Sequence, residues 1–126
     1  MNIIIEKGSL VECAQVQFNK RYPFLELKFF KKHSTGRSFL TSEYPSEEYL
    51  EDIPGFVGSA VINISSDRTV KELEQEFKDQ VGLTAQIFRR AGNVWIETTV
   101  TNNWTLEKQN NEGEQISKHF QNRWHQ

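Results

Sequence analysis

Residues 69–100 read TVKELEQEFKDQVGLTAQIFRRAGNVWIETTV, and this stretch decides the fold. Thr69 and Glu72 have the spacing of a capping box, which predicts the start of a helix. Apolar residues then recur at intervals of three and four, so the spacing predicts a helix over 70–81. The apolar stripe of this helix is Val70, Leu73, Phe77 and Val81, and its favourably oriented charge pair is Glu74 and Lys78.

A β-hairpin is predicted directly after this helix. Gly82 stands where a left-handed C-cap belongs, so we expect the helix to end there. Two runs rich in β-branched and aromatic residues follow, over 84–90 and 94–100, on either side of Ala91-Gly92-Asn93. A short turn of this composition between two such runs is typical of a hairpin.

The first third of the chain has the same kind of pattern. The continuous apolar run at 3–5 predicts a strand covered on both faces, such as a central strand. Ser9 and Glu12 have capping-box spacing, which predicts a helix over 10–20 with Cys13 buried beside its apolar stripe. Residues 24–32 alternate, which predicts a strand with Leu25, Leu27 and Phe29 in the core and Phe30 on the second face.

The remaining segments are less regular. Residues 33–58 lack a strong periodicity, and within them Ser46 has the sequence context of a cap for a short helix. Residues 59–65 alternate and predict a third strand. Thr105 can cap a last helix, which Gly113 is expected to weaken or break. The apolar residues of that helix are Leu106, Ile116, Phe120 and Trp124.

These elements predict a single α+β domain over residues 1–126. Their order matches a ferredoxin-like split βαβ sandwich, β-α-β-β-α-β, with an extra hairpin strand and a C-terminal helix. Two helices would cover one face of one sheet. The C-terminal helix and the long loop would then cover the second face, which carries Phe30 and Trp95.

Residues 69–106 contain four short motifs: Phe77-Lys78, Gly82-Leu83, Gln86-Ile87-Phe88 and Thr105-Leu106. In these motifs the segment resembles a group of small bacterial domains that have no assigned activity. The resemblance implies no catalytic or ligand-binding residue.

Composition excludes several classes of protein. The chain has 126 residues, a net charge of −2 and one cysteine, so it has no intramolecular disulfide and no overall attraction to nucleic acid. The three histidines have no metal-ligand spacing, so we expect no metal and no cofactor. Because no signal peptide or membrane-spanning run is present, we expect a cytoplasmic protein without membrane contact.

Charge is segregated between two neighbouring segments. Residues 20–37 carry six cations against Glu26, a net charge of +5, whereas residues 41–53 carry five acids and no base. The two blocks either neutralise one another or leave a basic loop at 31–37 that holds an anion or an acidic partner. The candidate binding residues of that loop are Lys31, Lys32, His33 and Arg37.

A second candidate site lies on the hairpin. Arg89 and Arg90 precede its turn and Trp95 follows it, a combination found in single-strand nucleic-acid platforms. The first and third strands offer no aromatic residue for base stacking, so nucleic acid is unlikely as a ligand. Four apolar residues are candidates for an interface: Phe30, Trp95, Phe120 and Trp124.

No motif of a nucleophile, a paired acid and base, or a phosphate-binding loop is present. We therefore expect a small non-catalytic binding module that acts by protein–protein contact or as a homodimer, through a sheet face. The first alternative is a small-molecule or anion-binding protein, or an enzyme, that uses the basic loop at 31–37. The second alternative is a single-stranded nucleic-acid binder.

Overall fold

The structure is a computed structural model that describes residues 1–31 and 42–124, the last four as backbone only. The α+β class is confirmed. A single 3₁₀ turn at Leu50–Asp52 replaces the helix predicted from Ser46. In chain order the elements are β1 Asn2–Ile5, α1 Val11–Arg21, β2 Leu25–Phe30, β3 Ala60–Asn63, α2 Val70–Glu76, β4 Thr84–Ala91, β5 Val94–Glu97 and α3 Leu106–Trp124.

The strands form two antiparallel sheets, where the split βαβ plan predicted one. β1 pairs with β3 in a two-stranded sheet, and β2, β4 and β5 form a three-stranded sheet in that order. β1 is therefore not the covered central strand that its isoleucine run predicted. Its middle residue, Ile4, is 53% exposed, and only Ile3 and Ile5 face the core.

Helix α1 explains why the two sheets do not join. Gln17 donates to the carbonyl oxygen of Ile4 and accepts from its N–H, at 2.9 and 2.8 Å. On the other flank of the helix, Gln15 and Asn19 donate to the carbonyl oxygens of two β2 residues, Leu27 and Leu25. Side-chain amides thus occupy the strand edges where a neighbouring strand would otherwise pair.

The start of α1 also differs from the prediction. Ser9 and Glu12 form no capping box; Leu10 is the N-cap and makes no side-chain hydrogen bond. The first-turn N–H groups of Val11 and Glu12 donate instead to carbonyl oxygens at 48 and 46. A loop distant in sequence therefore caps the helix. Cys13, predicted to be buried, is exposed on the helix surface.

Helix α2 begins as predicted. Thr69 and Glu72 form the complete capping box, with both reciprocal hydrogen bonds present. A π-helical turn over Phe77–Val81 continues the helix to Gly82, which has a φ of 80°. A side chain at Gly82 would collide with the carbonyl oxygen of Gly55, so both backbone angle and close approach require glycine there.

The predicted Glu74–Lys78 pair is wrong, because Glu74 faces strand β4. Its carboxylate accepts from the N–H of Ile87 at 3.0 Å. The carbonyl oxygen of Ile87 accepts from the hydroxyl of Thr98 at 2.7 Å. β5 ends at Glu97 rather than at the predicted Val100, and these two side chains take its place along β4.

Helix α3 is continuous over its 19 residues, although a break was predicted. Gly113 lies where the helix approaches the sheet most closely, since a Cβ there would be 3.0 Å from Phe24 and 3.1 Å from Arg89. Gln109 is fully buried and bonds to Arg89 and Thr101. Gly113, which was expected to weaken the helix, therefore lies on its packed face.

Candidate functional site

The second face of the three-stranded sheet is the strongest candidate site. In the observed register, alternate residues of β2, β4 and β5 point to this face, opposite the core side of the same strands. We call its part near the hairpin the Trp95 face. It consists of Glu26, Arg90, Trp95 and Glu97.

Trp95 lies on the edge strand β5 and borders two open grooves. One groove, of about 500 Å³, runs along α1 and is lined by Val16 and Glu26 among others. The other, of about 350 Å³, lies between the hairpin and the second half of α3, near Ser117. The indole ring is half-buried and borders both grooves, so it is accessible to a partner from either side.

Arg90 stacks on the Trp95 ring. Its guanidinium carbon lies 5.3 Å from the ring centroid, and its Nε donates to the carbonyl oxygen of Gly92 at 2.7 Å. The second contact fixes the side chain against the hairpin turn. The arginine and the tryptophan are thus held together as a cation–π pair at the surface.

The far end of the second face is closed. Phe30, a predicted interface residue, is 2% exposed and packs near Phe88, with ring centroids 6.1 Å apart. Lys28 lies over the Phe88 ring and forms an ion pair with Glu43 at 3.3 Å. This pair joins the basic and acidic segments of the chain, so part of their charge is neutralised. Among the residues that the structure describes, the end of the face at Trp95 is open.

Glu26 contributes a carboxyl group to the groove along α1. Burial raises its pKa, while Lys28 lowers it, Glu43 raises it and Arg90 lowers it. The group is therefore a weaker acid than an exposed glutamate. It gives the groove an acceptor next to the Trp95 ring.

Arg89 does not belong to this face. Its side chain points to the core side, where it donates to Gln109 at 2.9 Å and lies over the Trp104 ring. Its Nε is buried and makes no hydrogen bond within the described residues. Arg89 therefore fastens α3 to the sheet, on the face opposite Arg90, so the two arginines predicted as one binding site do not share a surface.

The other predicted site residues are dispersed. Lys31 is exposed at the end of β2, and its N–H donates to the carbonyl oxygen of Ser42. Lys32, His33 and Arg37 lie outside the described residues. Phe120 packs against Gly92 at the hairpin turn, and Trp124 ends the backbone of α3.

One exposed apolar pair was not predicted from the sequence. Ile4 and Val61 face each other across β1 and β3, and both side chains are more than half exposed. The isoleucine run predicted a strand covered on both faces, so the exposure of this pair was not expected. The exposed thiol of Cys13 was missed for a similar reason, because its position beside the apolar stripe suggested the core.

Within residues 1–31 and 42–124, no three His, Cys, Asp or Glu side chains come together as a possible metal site. Among the helices that the structure describes, none has both the length and the apolar character needed to cross a bilayer. No family model matches the chain, and no curated protein or solved structure matches it either. The resemblance of residues 69–106 to small bacterial domains stays a prediction.

Proposed function

We propose that the chain is a non-catalytic binding module that makes protein–protein contacts by self-association through the Trp95 face. The observation that carries this proposal is the Trp95–Arg90 stack at the open end of the second sheet face. Tryptophan and arginine are the side chains that most often dominate the binding energy of protein interfaces. The stack is formed within one chain, with Arg90 also held by Gly92, so association does not have to create it.

The surroundings of the stack favour a protein over a small ligand. Both grooves beside Trp95 are partly open to solvent, whereas small-molecule sites enclose most of their ligand. Mixed charge from Glu26, Arg90 and Glu97 suits the polar rim of an interface. We also propose that the chain acts in the cytoplasm, because the exposed thiol of Cys13 suits a reducing compartment.

Light scattering over a range of protein concentrations, at low and high salt, tests the proposal. We expect the mass of the wild-type chain to rise with concentration at both salt levels. Trp95→Ala should weaken association about thirtyfold, the effect of a typical interface hot spot. Val94→Ala is the matched control, because Val94 is on the same strand but points to the opposite face.

Urea unfolding of the same variants separates binding from folding. The proposal requires Trp95→Ala to impair association more than it lowers the free energy of unfolding. A wild-type chain that stays monomeric at every concentration would overturn it. Binding of a single-stranded oligonucleotide that falls steeply with salt would favour the nucleic-acid alternative instead.

A further inference from the structure

Several strand edges of this fold are closed by hydrogen bonds from other segments. Exposed rows of N–H and C=O groups are templates for a further strand, and proteins commonly block them. Side chains of α1 bond to the outer edges of β1 and β2. Where β4 has no β5 partner, at Ile87, side chains from α2 and from the loop after β5 bond to its backbone. The side chains that do this are Gln15, Gln17, Asn19, Glu74 and Thr98.

Strand β5 is different, because its outer edge is open within residues 1–31 and 42–124. The N–H of Arg90 donates to the carbonyl oxygen of Phe24, so the backbone of Arg90 faces β2. The backbone groups of Arg89 and Ala91 therefore face β5 and bond with those of Ile96 and Val94. The N–H and C=O groups of Trp95 and Glu97 consequently point outward. Within the described part of the chain, no hydrogen bond reaches them.

We propose that β5 is the docking edge for a second copy of this chain, with the two β5 strands antiparallel about a two-fold axis at Ile96. This inference rests on the proposed function and specifies how the Trp95 face associates. The two three-stranded sheets would join into one continuous sheet.

The sequence of β5 is complementary to itself in this register. With the axis at Ile96, Trp95 lies opposite Glu97 of the second copy, and Glu97 lies opposite Trp95 of the second copy. Both are outward-facing residues, so each pair can exchange both of its backbone N–H···O bonds. The backbone therefore permits the register without any rearrangement of β4 or β5.

Charge is complementary in the same register. Arg90 and Trp95 are cross-strand neighbours, so Glu97 of the second copy would extend that row on the same face. Its carboxylate would approach the guanidinium that already lies over the indole ring. Because the axis repeats every contact, the interface would contain this cation–carboxylate contact at both ends.

The outer edge of β3 is a weaker candidate for the same role. Its outward residues are Val61 and Asn63, as the pairing of Ile4 with Gln17 on the far side of β1 shows. The carbonyl oxygen of Asn63 already accepts from Arg68 at 2.8 Å. A ladder along β3 would therefore be interrupted after one residue, whereas β5 offers two.

Proline substitution tests the backbone contact. Glu97→Pro removes an outward N–H but no bond to β4, so the monomer should keep its fold. We expect sedimentation equilibrium to show a dimer dissociation constant raised about tenfold or more. Val61→Pro is the matched control, because it removes an outward N–H from β3, and it should leave the dissociation constant unchanged.

A charge reversal tests the register. Glu97→Lys should weaken the dimer about tenfold or more, because it places a cation near Arg90 of the second copy, whereas Glu97→Gln should weaken it less. Glu6→Lys makes the same charge change at an exposed position away from β5 and should have no effect. Circular dichroism and urea unfolding of every variant establish that the monomer is folded.

The outcomes separate the two proposals. A dimer that Trp95→Ala weakens but Glu97→Pro does not would overturn docking at β5 and leave the proposed function standing. Loss of association in Val61→Pro alone would move the interface to β3 and also overturn it. A wild-type chain that is always monomeric, with β5 left for a strand of another protein, would overturn both proposals.

Discussion

Replacing Glu74 with glutamine should stabilise the protein above neutral pH. The Glu74 carboxyl lies between α2 and β4, where it accepts from the N–H of Ile87. Burial raises its pKa from 4.5 to about 7, and the hydrogen bond from Ile87 only partly opposes this effect. The folded protein therefore pays a desolvation cost for a charge that the unfolded chain carries freely.

The sign and size of the effect follow from linkage. Below pH 4.5 both states hold the proton, so the group does not alter the free energy of unfolding. Between pH 4.5 and about 7 the folded state keeps a proton that the unfolded chain releases, so stability falls as pH rises. One pKa unit corresponds to about 1.4 kcal/mol, which sets an upper limit of about 3 kcal/mol.

Glutamine keeps the carbonyl oxygen that accepts from Ile87 and cannot ionise. Urea unfolding of Glu74→Gln and the wild type should give similar stabilities near pH 4.5. Above pH 7 the variant should be more stable by about 1–3 kcal/mol, the lower part of this range reflecting partial solvent exposure. Glu6→Gln, at an exposed position, is the control. A stability difference that does not change with pH, or a variant less stable than the wild type above pH 7, would refute the reasoning.

Two further predictions concern packing and strand edges. Gly113→Ala should lower the free energy of unfolding by about 1 kcal/mol, because contact with Phe24 and Arg89 outweighs the gain in helix propensity; a raised melting temperature would contradict this. Gln17→Leu should cost about 1 kcal/mol in urea unfolding and speed amide exchange at Ile4, because both of its bonds to β1 are lost; unchanged exchange at Ile4 would show that α1 does not protect this edge.

The sequence predicted the elements whose signals are local. The capping box at Thr69, the apolar stripe of α2 and the cap at Gly82 all lie within one short stretch, and all three are confirmed. The hairpin turn and the alternation of β2 are local in the same sense. Each depends on contacts between residues that are close along the chain, so periodicity and turn chemistry were sufficient.

The division into two sheets could not be predicted in this way. It depends on Gln17 on one flank of α1 and on Gln15 and Asn19 on the other, which bond to strands before and after the helix. On a helix surface such amides are normally solvated, and their spacing gives no sign of a strand partner. The cap of α1 is similar, since its acceptors are backbone carbonyls more than 30 residues away.

The candidate site was predicted in part. Trp95 and Arg90 were singled out, and the structure places them in contact. Phe30 and Arg89 were also predicted as candidate surface residues. In the structure Phe30 packs against Phe88, and Arg89 bonds to Gln109 of α3. Alternation along a strand gives the face that a residue occupies. It does not show which part of that face another segment covers.

Amide hydrogen exchange in β5, measured by NMR at low and high protein concentration, tests the central claim most directly. The N–H of Ile96 bonds to β4 in the monomer, so it should be protected at both concentrations. The N–H groups of Trp95 and Glu97 point outward, so we predict fast exchange in dilute solution and markedly slower exchange when the chain is concentrated. Exchange at Trp95 and Glu97 that is equally fast at both concentrations would contradict self-association through this edge.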